Sequence, residues 1–291
     1  MPEFPVIDAH LHIWDHDRLR YGAFAGHPIF GRSFHVEDYR RACGPVEVAA
    51  MVFLECYADF DAEGGQYVEE IEFVADEAAR DPGIRGIVPM APVERGAAVV
   101  PILEEMTRRF PRVKGIRRIV EFDDDPRALT LSDAFVEGVN ALHAHGLHFE
   151  INVNYTQMDI VRDFVERIPD TPLILDHCGK PGIKRGALDQ FRGDMAALAQ
   201  HPNLVVKLSD LPVEADHETW TEDQVRPFVD ATFDAFGFER TIFAADWPIC
   251  LQATTIPDWV ALLDRALEGV AEADRRAFYF DNANRFYRLG L

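Results

Sequence analysis

Two histidines stand two residues apart near the start of the chain, His10 and His12 in DAHLHIW. In an extended strand, residues i and i+2 point to the same face. Both imidazoles can therefore converge on one metal ion or on one substrate carbonyl. A third histidine, His177, ends the apolar run of LILDHCGKP, just before Gly179 and Pro181 break the strand. Asp246 ends another apolar run, in FAADWPIC. A carboxylate in such a run is costly to bury unless a metal, a cation or a catalytic proton accompanies it. Asp246 can bind metal, take a proton from water, or do both in turn. Purely structural roles stay open at this point: a strand-end pair for His10 and His12, a capped core histidine for His177, an ion pair for Asp246.

Other polar residues late in apolar runs carry weaker signals. Arg117 and Arg118 in VKGIRRIVEF fall on opposite faces, so one of them can point inward and hold a carboxylate or an ester oxygen. Glu150, Asn152 and Asn154 share a face in HFEINVN, where Asn152 can bind substrate. Lys180, Lys184 and Lys207 can each contact an anion, though lysines so placed are more often solvated. Glu55 ends the second run. Asp176 precedes His177 and is expected on the opposite face, against the barrel wall. Trp14 opens a segment rich in glycine and aromatics that reaches His35. That segment reads as a lid, with Trp14 expected to touch the substrate. The remaining histidines lie in loops or helices without convergent partners, and His148 starts its strand too early to reach the mouth.

The elements that must position these residues alternate regularly. Eight apolar runs read as strands, at 6–14, 46–56, 84–93, 113–122, 147–154, 172–179, 204–211 and 241–249. Several begin with continuous apolar residues, as parallel strands buried on both faces do. Between them, apolar residues recur every three or four positions: Tyr67, Ile71, Val74 and Ala78; Leu131, Phe135, Val139 and Leu142; Leu188, Phe191, Met195 and Leu198; Val225, Val229, Phe233 and Phe236. A last helix is expected from about Ala273 to Leu289. Strand and helix in eightfold alternation predict a closed (β/α)8 barrel, with an open sheet as the alternative. The 291 residues suit one such domain over residues 1–291. In a barrel of this kind, active sites lie at the C-terminal ends of the strands, where the candidates above cluster.

Bulk properties narrow the function. The net charge of -21 opposes nucleic acid and anionic membrane surfaces, though not a small anionic substrate. No GxGxxG or P-loop follows a predicted strand. The N-terminus has no signal-peptide pattern, and the longest apolar stretch, Val48 to Leu54, is too short to span a bilayer. Four scattered cysteines without a CxxC pair read as reduced thiols in a cytoplasmic protein. A homo-oligomer is an open possibility.

Taken together, DAHLHIWD, KGIRR, LILDHCGKP, VVKLSD, FAADWP and FYFDNANRFYRL resemble the lactonase branch of the amidohydrolase superfamily over nearly the whole chain. That branch includes L-fuconolactonase, L-rhamnonolactonase, pyrone-dicarboxylate lactonase and muconolactone-type hydrolases. The resemblance implies an amidohydrolase-like (β/α)8 barrel that opens a lactone of a sugar acid or of a muconate- or pyrone-type dicarboxylic acid. It implies a site built from His10, His12, His177 and Asp246, with a divalent metal, zinc first, or a metal-free variant. The chain departs from the pattern in three places. It has AADWP where GSDWP is common, KLSD where KLSG is common, which adds Asp210, and Arg118 where a histidine often follows the arginine. Where many superfamily members carry a late histidine on strand five, this chain has Glu150, Asn152 and Asn154. A metal-dependent decarboxylase and a non-catalytic binding barrel are the competing readings.

Overall fold

A computed structural model describes residues 2–59 and 67–291. Eight parallel strands occur in it: β1 (Val6–Leu11), β2 (Val48–Leu54), β3 (Ile84–Val88), β4 (Gly115–Arg117), β5 (His148–Ile151), β6 (Leu173–Leu175), β7 (Leu204–Leu208) and β8 (Thr241–Phe243). Strands β1 to β3 pair in sequence order, and so do β4 to β8. Two single bridges close the ring, Ile87 with Val113 and Leu11 with Trp247. Backbone hydrogen bonds reinforce the second seam, from His12 N to Trp247 O (2.8 Å) and from Asp246 N to His10 O (3.1 Å). The result is the (β/α)8 barrel that the alternation predicts.

Each strand is shorter than its apolar run. Much of the excess continues into the loops at the C-terminal rim, where His12, Ile119, Asn152, His177, Asp210 and Asp246 line the site instead of pairing. The expected helices appear as Tyr67–Arg80, Asp133–Ala144, Leu188–Leu198 and Glu222–Phe236. The last expected helix is broken: a π-helical turn, Ala277–Asp281, separates Glu272–Arg276 from Asn282–Tyr287. Further helices at Val36–Ala42, Val100–Arg109, Met158–Val165 and Ile256–Ala266 complete the outer layer. No described helix is long and apolar enough to cross a membrane.

The core has two parts. A large cluster lies between strands and helices. A smaller one fills the barrel's N-terminal half, with Ile7, Ala50, Val88, Ile174 and Ile242 meeting across the axis. Tyr287 plugs this end and donates from its hydroxyl to Glu150 Oε1 (2.8 Å). Gly115 makes room for His148, whose ring lies 2.3 Å from where a Cβ would stand. All four cysteines are free and buried.

Candidate active site

Above the apolar layer the barrel interior turns charged. Glu55, Arg117, Glu150, Asp176 and Lys207 are each no more than 2% exposed. Such charges persist in a low-dielectric interior only when paired, and here they form one network. Arg117 donates from Nε to Glu55 Oε1 (2.8 Å), from Nη2 to Glu55 O (2.7 Å) and from Nη1 to Asp176 Oδ2 (3.2 Å). The Lys207 ammonium donates to Glu150 and lies 3.1 Å from Asp176 Oδ1. Burial alone would raise Asp176, but Lys207 and Arg117 outweigh it and hold the carboxyl at about 2.

On this charged layer sit the residues picked out by spacing. The pairing of β1 with β2 shifts register between Asp8 and Leu11. Beyond the shift, His10 and His12 both face inward. Asp8, which accepts from Tyr39 Oη (2.8 Å) and from Ala245 N (2.9 Å), ties this stretch to β8 and to the helix Val36–Ala42. His12 Nδ1 donates to Leu54 O (3.0 Å), which leaves the Nε2 lone pair facing the site. His10 Nδ1 faces Lys207 Nζ at 3.3 Å and Asp176 Oδ1 at 3.6 Å. Burial first, then Lys207, holds His10 well below the ordinary imidazole range, so it is neutral.

Asp246 completes the cluster. Its Oδ1 lies 3.4 Å from His10 Nε2 and 3.2 Å from His12 Nε2, and the two Nε2 atoms are 3.1 Å apart. Oδ1 is buried yet accepts no hydrogen bond. The three atoms thus face a common point, the two nitrogens within hydrogen-bond distance of each other and Asp246 Oδ1 unpartnered. A tetrahedral ion with ligands at about 2.0–2.2 Å has ligand–ligand edges of about 3.3–3.6 Å. The triangle is close to one such face. His177 can add a fourth donor, because ligand atoms of His10, His177 and Asp246 lie within 4.8 Å of one another. The residues present therefore fit a divalent cation, bound by His10 in the tautomer protonated at Nδ1. Arg117 Nη1, 3.2 Å from His10 Nε2, is the contact such an ion would displace.

His177 sits in the turn Asp176–Gly179 after β6 with φ +50°, and its Nδ1 is 2.9 Å from Ser209 Oγ. Burial lowers it to about 4, against the pull of Asp246 and Asp176, so it too is neutral near pH 7. For Asp246 burial acts upward, but His177, His10 and His12 together hold it well below the usual carboxylate range. Asp246 is therefore ionised.

The cluster forms the floor of an open pocket that, with the solvent space at its mouth, measures about 520 Å³. Polar Arg117, Asn152, His177, Lys180, Asp210 and Asp246 line it together with Phe24, Tyr57, Ile119, Phe122 and Ile249. Seven described non-glycine residues have φ in the left-handed region, and five of them line this pocket: Tyr57, His177, Lys180, Asp210 and Asp246. Backbone strain of this kind gathers where geometry serves function.

Several expectations need correction. Arg118 points away from the pocket into ion pairs with Glu94 and Asp123. Trp14 does not line the pocket either. It is fully buried, donates from Nε1 to Arg32 O (2.8 Å), and packs 4.4 Å from Phe24, which does line it. Arg117 faces inward, but its guanidinium nitrogens serve Glu55 and Asp176. Lys180 lines the pocket while donating to Glu121. Asp176 faces the interior like His177, because β6 ends at Leu175, the chain turns left-handed from His177, and the alternation of faces ends there. Lys207 is fully buried at the axis instead of solvated. Its signal was present: a lone lysine inside LVVKL is as anomalous as Asp246 inside its own apolar run.

Glu214, in the turn Leu211–Glu214 beside the pocket, is raised from an ordinary 4.5 to about 7 by burial, against Lys180 and with help from Glu121 and Asp246. The folded protein thus binds more protons than the unfolded chain between these values. The stability contributed is full below pH 4.5 and is lost as pH rises through 7. Glu214→Gln should remove that loss. Thermal melts at pH 4.5 and pH 8 should show the variant gaining a few degrees over the parent at pH 8 alone. Equal pH slopes for the two proteins would refute this assignment.

Similarity to known proteins agrees with this geometry. The amidohydrolase family model matches residues 7–289. An L-fucono-1,5-lactonase from Burkholderia ambifaria is 31% identical over 229 residues, covering 76% of each chain. An L-fucono-1,5-lactonase from Burkholderia multivorans is 27% identical over 294 residues, covering 97% of this chain and 96% of its own. A crystal structure of an amidohydrolase from B. multivorans with bound zinc superposes with a TM-score of 0.87 at 26% identity, covering 98% of this chain and 99% of its own. With its barrel, the inward pair on β1 and the carboxylate beyond β8 all accounted for within that match, the chain belongs to the amidohydrolase family.

Proposed function

We propose that this protein is a hydrolase that opens a lactone with an activated water. The observation that carries the proposal is the ionised, buried Asp246 facing two imidazole nitrogens at the floor of a pocket of substrate size. The lactonase names of its relatives support the same reading.

A divalent ion held by His10, His12 and Asp246, zinc by the nitrogen and oxygen donor set, would polarise the ester carbonyl. The chain's own residues do the rest. Asp246 accepts a proton as water oxygen bonds to the carbonyl carbon. The bond from that carbon to the ring oxygen then breaks, and Asp246 returns the proton to the ring oxygen. His177, oriented by Ser209, lies beside the developing oxyanion and orients the water. Arg117 and Lys207 hold His10 and Asp176 in place. Phe24, carried on the segment that Trp14 anchors, shields one side of the pocket from water.

The test is a panel of sugar-acid and dicarboxylic-acid lactones assayed by pH indicator, with metal analysis of the same sample. One proton released per ring opened, with no carbon dioxide, is the expected result. Release of carbon dioxide from a carboxylated substrate would replace this reading with the decarboxylase.

A further inference from the structure

Besides Asp246 Oδ1 at the cation face, two acceptors in the pocket have no partner. Asp210 Oδ1 and Asn152 Oδ1 are buried without a hydrogen bond, in side chains only 3% and 4% exposed. Buried acceptors in native proteins are nearly always satisfied, so a pair left open in one pocket points to a ligand that supplies donors. Asp210 follows β7 and Asn152 follows β5, so they flank His177 beyond β6. Asp210 also sits at φ +62°, where glycine is the favoured residue, so its side chain is kept against local backbone preference.

The cations of the same pocket are in the opposite condition. Arg117 is held by Glu55 and Asp176, and Lys180 by Glu121. Among the described residues lining the pocket, no cation lacks a carboxylate of its own. No side-chain cation of the pocket is thus free to receive a substrate carboxylate. A substrate hydroxyl would meet an empty acceptor.

We infer that Asp210 and Asn152 are specificity-determining residues that accept hydrogen bonds from hydroxyl groups on the lactone ring, and that they select polyhydroxylated, uncharged lactones over dicarboxylates. The inference rests on the lactonase reading and divides its two substrate branches. A site built to bond a hydroxyl discriminates strongly against an analogue that lacks it, since the site's own polar groups are then left unpaired.

The experiment compares kcat/KM for a set of stereoisomeric polyhydroxylated δ-lactones, for δ-valerolactone and for a dicarboxylate lactone, with spontaneous hydrolysis subtracted. The parent enzyme should prefer its best polyhydroxylated substrate over both others by at least about 100-fold. Asp210→Gly, which suits the left-handed backbone, and Asn152→Leu, which keeps the volume, should each cut the preference over δ-valerolactone by about 10- to 100-fold. Thermal melts establish that both variants are folded. A parent enzyme that prefers the dicarboxylate, or folded variants that lose rate on both neutral substrates with the ratio unchanged within twofold, would overturn the inference while leaving the lactonase standing. A parent enzyme that opens none of the three classes would overturn both.

Discussion

Asp246→Asn is expected to lower lactone turnover by about 10²- to 10⁴-fold, the range associated with a positioned general acid–base. The amide keeps the shape of the carboxylate but cannot accept the proton from water. It also cannot supply the charge that His10, His12 and His177 are arranged around, 3.4, 3.2 and 3.9 Å away. Two roles are superposed here, because the same carboxylate that would take a proton also completes the three-atom face for a cation. Metal content measured beside the rate separates them. A variant that keeps its metal and still loses turnover has lost a base. A variant that loses both has lost a ligand first, and restoring the metal at high concentration should then recover part of the rate. A metal-replete Asn variant with near-normal turnover would remove Asp246 from the chemistry, and Glu150, Asp210 and Glu55 would be the carboxylates to test next.

Lys207→Met should produce the largest change in stability. The ammonium is fully buried between Glu150 and Asp176 and reaches His10 Nδ1. Deleting one member of a buried ionic network typically costs about 3–5 kcal/mol, because the partners remain as uncompensated charges. For a barrel of this size that corresponds to a fall in melting temperature on the order of 10 °C. Lys207→Met combined with Glu150→Gln should recover part of the loss by removing one orphaned carboxylate. A single variant melting within 2 °C of the parent would mean that water or relaxation satisfies Glu150 and Asp176, and that Lys207 is not the keystone of the layer beneath the site.

How far the sequence reveals all this depends on what each residue's neighbours say about it. His10, His12, His177 and Asp246 are legible because each is polar within or at the end of an apolar run, and because the eightfold alternation sends all such ends to one rim. The eight strands are legible for the same reason, but their ends are not. Apolar residues beyond β4, such as Ile119, line the pocket as readily as they would extend a strand. Arg117 and Arg118 show the limit of alternation as a guide. Alternation states that one of the two faces inward, and only the partners Glu55 and Asp176, both distant in sequence, decide which. Asp176 escapes altogether, since four successive residues, His177, Cys178, Gly179 and Lys180, take positive φ immediately after it. Trp14 was placed in the site by its type and position. Its indole instead finds Arg32, Phe24 and Phe34, all within the segment that it anchors.

The barrel seam between β1 and β8 has a consequence in time. The cation face draws two donors from the first strand and one from just beyond the last, and Asp8 reaches Ala245 across 237 positions to hold them together. Neither the three-stranded arc β1–β3 nor the five-stranded arc β4–β8 contains the whole floor of the pocket. Contacts of such long range form late in folding, after their loop entropy has been overcome. On the ribosome the histidines emerge hundreds of residues before the carboxylate they serve. Hydrolytic competence is therefore the last property this chain acquires, and its appearance reports the closing of the ring, not the order of either arc.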